Sequence, residues 1–211
     1  MRGIVVLGTA HRLREQGKRS PDGKLREAVY SREIVSELKP KLEDAGFIVF
    51  VDMEALDLPK EMQNANAKIE RNTELSMRVK FVNDVCKKYG KDKVVYVSIH
   101  CNASSSDNQW HSACGWQVCV GTKAGDNSKK LANCMFESAQ GHWLKMRRPS
   151  ISQKYWEQSI YVLNNTACPA ILTENLFQDN KKDVEYLLSD EGRHNIERLH
   201  AEGIIKYFSK L

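Results

Sequence analysis

Residues 94–103, VVYVSIHCNA, constrain this chain more than any other segment. An apolar run of this length reads as a strand buried in a sheet. It ends in His100, followed by Cys101, Asn102 and Ala103. A histidine where a buried strand runs out into a loop is held rigidly and faces solvent, as a metal ligand or an acid/base group must be. One such histidine proves little. His11, Glu27 and Glu174 are placed in a similar way on separate segments.

The remaining segments follow a regular alternation. Residues 3–8 read as a short buried strand, followed by a polar loop with the turn Pro21-Asp22-Gly23. Residues 25–45 place Ala28, Val29, Ile34, Val35, Leu38 and Leu42 at helical spacing, with Pro40 expected to kink or interrupt the helix. Gly46 is a natural stop before a strand over 47–51. Residues 54–72 are polar and read as a loop or a poorly defined helix, and 73–89 as an amphipathic helix ended by Gly90. Strands are expected over 94–99, 115–120, 159–163 and 170–173, with helices over 127–143, 181–188 and 191–208. Strands alternating with helices make this an α/β chain: a mostly parallel, twisted, mixed sheet of about six strands with helices on both faces. No internal repeat or linker interrupts it, so residues 1–211 are expected to form a single domain.

The net charge of +5 is scattered along the chain rather than clustered. An anionic polymer such as a bacterial wall would be attracted by it, while no nucleic-acid motif accompanies it. Hydrophobic residues at 41% and charged residues at 28% are ordinary for a soluble globular protein, and no segment has the length of a membrane span. The cysteines at 86, 101, 114, 119, 134 and 168 form no C-x2-C pair, so they read as reduced thiols. Met1-Arg2 leads directly into a short apolar stretch that does not form an export signal. The chain is therefore expected to be made and kept in the cytoplasm unless something else releases it.

Sites in open α/β sheets collect beyond the carboxyl ends of the strands. His11 follows the first strand, His100 ends a central one, Glu174 ends the strand at 170–173, and Glu27 opens the helix after the His11 loop. All four can converge on one rim. Two imidazoles and a carboxylate form a common catalytic zinc set, and a further carboxylate can move the protons. Spacing does not select this set uniquely, because Glu33 and His111 are available too. Taken singly, His11 is equally a loop histidine, Glu27 a first-turn glutamate favoured by the helix dipole, and His100 a satisfied histidine at the sheet edge. Glu174 is the hardest to dismiss, because ILTENLF surrounds a carboxylate with apolar neighbours. His142, His194 and His200 lack ligand-like spacing and read as surface residues.

The segments VVLGTAHR, GKLREAVYSREIVSELKPKLEDAGFIVFV, TELSMRVKFVNDV, YVSIHCNA, SKKLA and YVLNNTACPAILTENLFQDNKKDVEYL occur in this order. In that order they resemble the zinc-dependent N-acetylmuramoyl-L-alanine amidases of the type-3 family, over nearly the whole chain. The resemblance implies one zinc ion per chain held by His11, Glu27 and His100, with Glu174 as general base and then proton donor. It implies peptidoglycan as partner and hydrolysis of the amide between N-acetylmuramic acid and the L-alanine of the stem peptide. A phage or prophage endolysin or another wall-lytic enzyme fits that activity. Two departures stand out. The loop Gly8-Thr9-Ala10-His11-Arg12 replaces the family's usual glycine-rich, Asp-containing stretch, and 104–114, SSSDNQWHSAC, is peculiar to this chain. Trp110 and His111 in that loop are candidates to line a substrate groove, set against a loop aromatic that merely covers the core. Arg147 and Arg148 fall where the family often carries an arginine, so a peptide carboxylate and plain solvent both suit them as partners. Two rivals remain: an inactive wall-binding or regulatory module on the same fold, and a zinc carboxypeptidase with the same kind of ligand set acting within the stem peptide. Oligomeric state is not legible.

Overall fold

In the computed structural model, residues 2–142 and 144–210 are described. Six strands form one sheet: β1 (Ile4–Thr9), β2 (Ile48–Val51), β3 (Val94–Asn102), β4 (Gln117–Gly121), β5 (Trp156–Gln158) and β6 (Ala170–Phe177). Their order is β2-β1-β3-β6-β4-β5. Neighbours run parallel except β4 and β6, which are antiparallel, so the sheet is mixed and mostly parallel as expected.

Among the described residues, six α-helices cover both faces: α1 (Glu27–Asp44), α2 (Ala67–Tyr89), α3 (Asp126–Gly141), α4 (Tyr161–Asn165), α5 (Lys181–Leu188) and α6 (Asp190–Ser209). The strand side chains alternate between two cores. Val5, Leu7, Val95, Val97 and Ile171 pack with α1, α3, α5 and α6. Ile4, Val6, Val94, Tyr96 and Leu172 pack with α2 and α4. That alternation puts Ser98, His100 and Glu174 on the α2/α4 face. Cys101 turns into the opposite core, away from them.

Four details differ from the sequence reading. Pro40 lies inside α1, which runs on to Asp44. Proline removes one amide donor, and the buried Ile34, Val35, Leu38 and Leu42 hold the helix on either side of it. The helix expected from 73 begins at Ala67, because Asn66 caps it by accepting from the amides of Lys68 and Ile69. The strand expected over 159–163 is instead β5 followed by the short helix α4. A brief apolar run such as YVL suits either state, and its burial against α2 decides for the helix. His200 is not a surface residue. It is fully buried on α6, its Nδ1 donating to the Ile196 carbonyl at 2.6 Å and its Nε2 lying 2.8 Å from Thr173 Oγ1.

Two features shape the rim of the sheet. Gly8 lies where a Cβ would come within 2.5 Å of the Tyr96 hydroxyl, so its lack of a side chain lets Tyr96 reach Asp52 at 2.8 Å. The β3–β6 ladder also slips after His100↔Glu174, with Asn102 next pairing Phe177. The extra residue in β6 forms a bulge in which Leu176 has φ 64, a device that re-aims side chains beside functional sites. Asn175, fully buried in the bulge, donates to the His100 carbonyl at 2.9 Å and accepts from Trp116 Nε1 at 2.7 Å.

Candidate active site

His11, Glu27 and His100 come together at the carboxyl ends of β1 and β3. One ligand atom from each lies within 4.8 Å of the others. His11 Nε2 is 3.4 Å from Glu27 Oε2, and His100 Nδ1 is 3.0 Å from Glu27 Oε1. The two imidazole rings meet edge to face with centroids 5.1 Å apart.

The loop carrying His11 is held by its backbone. His11 has φ 43, a left-handed conformation that costs a non-glycine residue on the order of 1–3 kcal/mol. The Ala10 amide donates to Ser31 Oγ at 2.8 Å, and Arg32 donates to the carbonyls of Ala10 and His11 at 2.9 and 3.1 Å. Arg12, buried beside His11, pairs with Glu70 and Glu74 of α2. Glu74 also pairs with Arg78, which bridges to Asp52 at 2.7 Å. A buried network of alternating charge thus braces the loop that holds His11 in its strained conformation.

The donor set fits a metal ion. Glu27 is buried, and its Oε2 has no hydrogen-bond partner among the described residues. Each histidine nitrogen that turns away from the other two ligands has its own partner. His11 Nδ1 lies 3.2 Å from Glu15, and His100 Nε2 lies 3.1 Å from Ser98 Oγ. Such outer partners fix the tautomer and ring orientation of metal-binding histidines. Two nitrogens and a carboxylate oxygen are a ligand set suited to zinc.

The charges are strongly perturbed. Burial alone would raise the Glu27 carboxyl, but the two imidazoles hold it well below the ordinary carboxylate range. Burial pulls His11 down, yet Glu27 and Glu15 outweigh it and raise the imidazole to about 9. His100 is lowered, chiefly by burial. Glu174, the Cα partner of His100 across the sheet, is pushed up to about 8 by burial and then by the charge of Glu27. Its Oε2 has no hydrogen-bond partner among the described residues. A carboxyl poised near neutrality with a free oxygen is suited to carrying a proton.

His11, His100 and Glu174 share a cavity of about 250 Å³ walled by α2, α4 and the β1 loop. The other sequence candidates lie outside it. Trp110 is exposed on the 104–114 loop, where His111 pairs with Asp107 at 2.9 Å. Arg147 donates to Gln117 at 3.2 Å and stacks on Phe177, 4.8 Å from the ring centroid. Gln117 is the cross-strand partner of Glu174, so Arg147 stands one residue behind the carboxylate. Glu33 pairs with Arg193 on the far side of α1. The sequence reading missed Ser98, Glu15 and the Arg12 network. Ser98 was legible as the residue two before His100, on the same face of the strand.

Residues 5–206 match the N-acetylmuramoyl-L-alanine amidase family. The chain belongs to this family. Among curated relatives, the amidase-family chain is 29% identical over 110 residues to an endolysin of Bacillus phage SPP1, covering 52% of this chain and 38% of that protein. It is 26% identical over 207 residues to a probable cell wall amidase, LytH, of Staphylococcus saprophyticus, covering 98% of this chain and 58% of that protein. The match thus spans less than two thirds of either relative's length. Among solved structures, the CwlD amidase of Clostridioides difficile, in complex with the GerS lipoprotein, shares the fold with a TM-score of 0.81. Identity is 23%, and 99% of this chain and 100% of that one are covered. Among the described residues, no helix of this amidase-family chain is long and apolar enough to cross a membrane.

Proposed function

We propose that the protein is a zinc-dependent N-acetylmuramoyl-L-alanine amidase. It cuts the amide between N-acetylmuramic acid and the L-alanine of the stem peptide, as an endolysin or related wall-lytic enzyme acting on the bacterial cell wall. One observation carries this reading: an unpartnered carboxyl, Glu174, directly across the sheet from a compact His-Glu-His cluster. Family membership supports the substrate.

His11 Nε2, Glu27 and His100 Nδ1 would hold the ion. The chemistry supplied by bound zinc is Lewis acidity, which polarises an amide carbonyl and acidifies water toward a pKa of about 7. The chain itself moves the proton. The free oxygen of Glu174 accepts a proton from the attacking water and then delivers it to the departing amine nitrogen, so one carboxyl serves as base and then as acid. Asn175 and the bulge around it fix the strand that aims Glu174.

The test is digestion of purified peptidoglycan followed by mass spectrometry. Intact stem peptides with free L-alanine amino termini are expected, and fragments trimmed within the stem would indicate a carboxypeptidase. Glu174→Gln is expected to release no peptide while keeping about one zinc per chain. Robust activity in that variant would overturn the assignment, and no release by the unmodified protein would favour an inactive binding module.

A further inference from the structure

The cavity around Glu174 carries two cations that the chemistry above does not use. Lys18 reaches it from the loop after β1, and Arg71 from the first turns of α2. The other guanidinium in the cavity wall, Arg78, is committed to Asp52 and Glu74. Among the described residues, neither the Lys18 nor the Arg71 side chain forms an ion pair or a hydrogen bond. The acids nearby are already engaged: Glu15 with His11, and Glu74 with Arg12 and Arg78. Lys18 is half-buried and lines the same cavity as His11, Glu15 and Glu174.

The two cations lie on one side of the cavity. Arg71 also lines a shallower depression with Arg12, Glu15 and Gln16, which places it over the β1 loop. In the sheet order, β1 and β5 fall on opposite sides of the β3–β6 pair that carries His100 and Glu174. The opposite wall holds Gln158 at the end of β5, with Ile160 and Val162 of the α4 region, and bears no charge. The cavity is therefore polarised across the catalytic carboxyl.

The substrate of an N-acetylmuramoyl-L-alanine amidase is polarised in the same sense. Its sugar arm offers hydroxyl and acetamido groups without charge, whereas its peptide arm can carry ionised carboxylates. The residue after L-alanine lies within about 7 Å of the scissile nitrogen, two residues of extended chain. We propose that Lys18 and Arg71 form an anion subsite for a free carboxylate on the peptide arm, with the sugar arm leaving toward Gln158. This rests on the amidase reading. It makes the enzyme selective for stem peptides whose second residue keeps its carboxylate over those in which that group is a carboxamide.

The experiment compares N-acetylmuramoyl-L-alanyl-D-glutamine, whose α-carboxylate is free and whose side-chain carboxyl is blocked as an amide, with its α-carboxamide, which bears no peptide carboxylate, following peptide release by chromatography on the zinc-loaded protein. The unmodified enzyme is expected to show a KM about tenfold lower for the free acid, with kcat for the two compounds within about twofold, since a charge-assisted contact is worth roughly a factor of ten. The Lys18→Gln/Arg71→Gln double variant should lose the preference, and Lys18→Arg/Arg71→Lys should restore most of it. Comparing two substrates on one variant cancels any loss of folded protein. Equal KM values in the unmodified enzyme, or a preference that survives in the double variant, would overturn the subsite and leave the amidase reading standing. Hydrolysis of neither compound by zinc-loaded protein would remove the amidase reading and the subsite with it.

Discussion

Glu174 stands directly opposite His100 in the parallel β3–β6 ladder, so both side chains rise from one face of the sheet at its carboxyl rim. The separation of the proposed proton carrier from the proposed metal ligand His100 is thus set by strand pairing, the stiffest spacing the fold offers. Glu174→Asp withdraws the carboxyl by one methylene while the strand stays in place. Turnover of purified peptidoglycan should fall by about two orders of magnitude, the usual consequence of a misplacement near 1 Å. Zinc content, read by elemental analysis, should not change. Loss of zinc in that variant would mean that Glu174 is itself a ligand.

Glu27 is the hub of the cluster, touching both histidines and accepting the Cys101 amide at 3.1 Å. Glu27→Gln keeps the shape and that acceptor but removes the negative charge. Zinc stoichiometry and activity should fall together. Ser98→Ala removes only the partner of His100 Nε2, and its zinc affinity in a chelator competition should weaken by about 10- to 100-fold. If Ser98→Ala bound zinc as the unmodified chain does, some other group would be orienting His100.

The strands other than β5 and the four central residues were legible because their signals are local. The buried runs at β1, β3 and β6 differ clearly from the polar loops; His11 follows β1, His100 lies two residues from the end of β3, and Glu174 pairs with it within β6, which runs on to Phe177. What escaped was contact between distant segments. Nothing in the neighbourhood of Arg12 announces that Glu70 and Glu74, two helical turns of α2 far along the chain, will enclose it. His200 was misplaced for a similar reason. Its neighbours in HAEG are unremarkable, and only the packing of α6 against the sheet buries it beside Thr173. Trp110, His111 and Arg147 drew attention by residue type, yet the 104–114 loop and the β4 edge hold them outside the cavity.

Arg12 lies between two buried carboxylates and follows the strained His11. Arg12→Ala leaves Glu70 with Arg14 and Glu74 with Arg78, so the loss is that of one shared cation. The cost should be about 3 kcal/mol, the low end for breaking a buried pair. In thermal unfolding of a chain this size, that lowers Tm by roughly 10 °C. Arg12→Lys should fall between, because an ammonium lacks the planar fork that meets both carboxylates. Unchanged stability in Arg12→Ala would show that the network is dispensable to the His11 loop.

His200 makes folding sensitive to mild acid. Burial lowers its imidazole from the ordinary 6.5 to about 4, so the folded chain holds it neutral where the unfolded chain would protonate it. Above pH 6.5 both states leave it neutral and its effect on stability is constant. As pH falls from 6.5 toward 4, the unfolded state gains a proton that the fold refuses, and stability declines through that window by on the order of 3 kcal/mol. Below 4 the decline from this group ends. His200→Gln carries no titrating group there, so its urea-unfolding free energy should lose less between pH 7 and pH 4 than that of the unmodified chain. Its stability at pH 7 will be lower, through the loss of the imidazole's contacts with Thr173 and Ile196, and the slope against pH separates the two effects. Parallel slopes for the two proteins would mean that His200 is protonated in the fold.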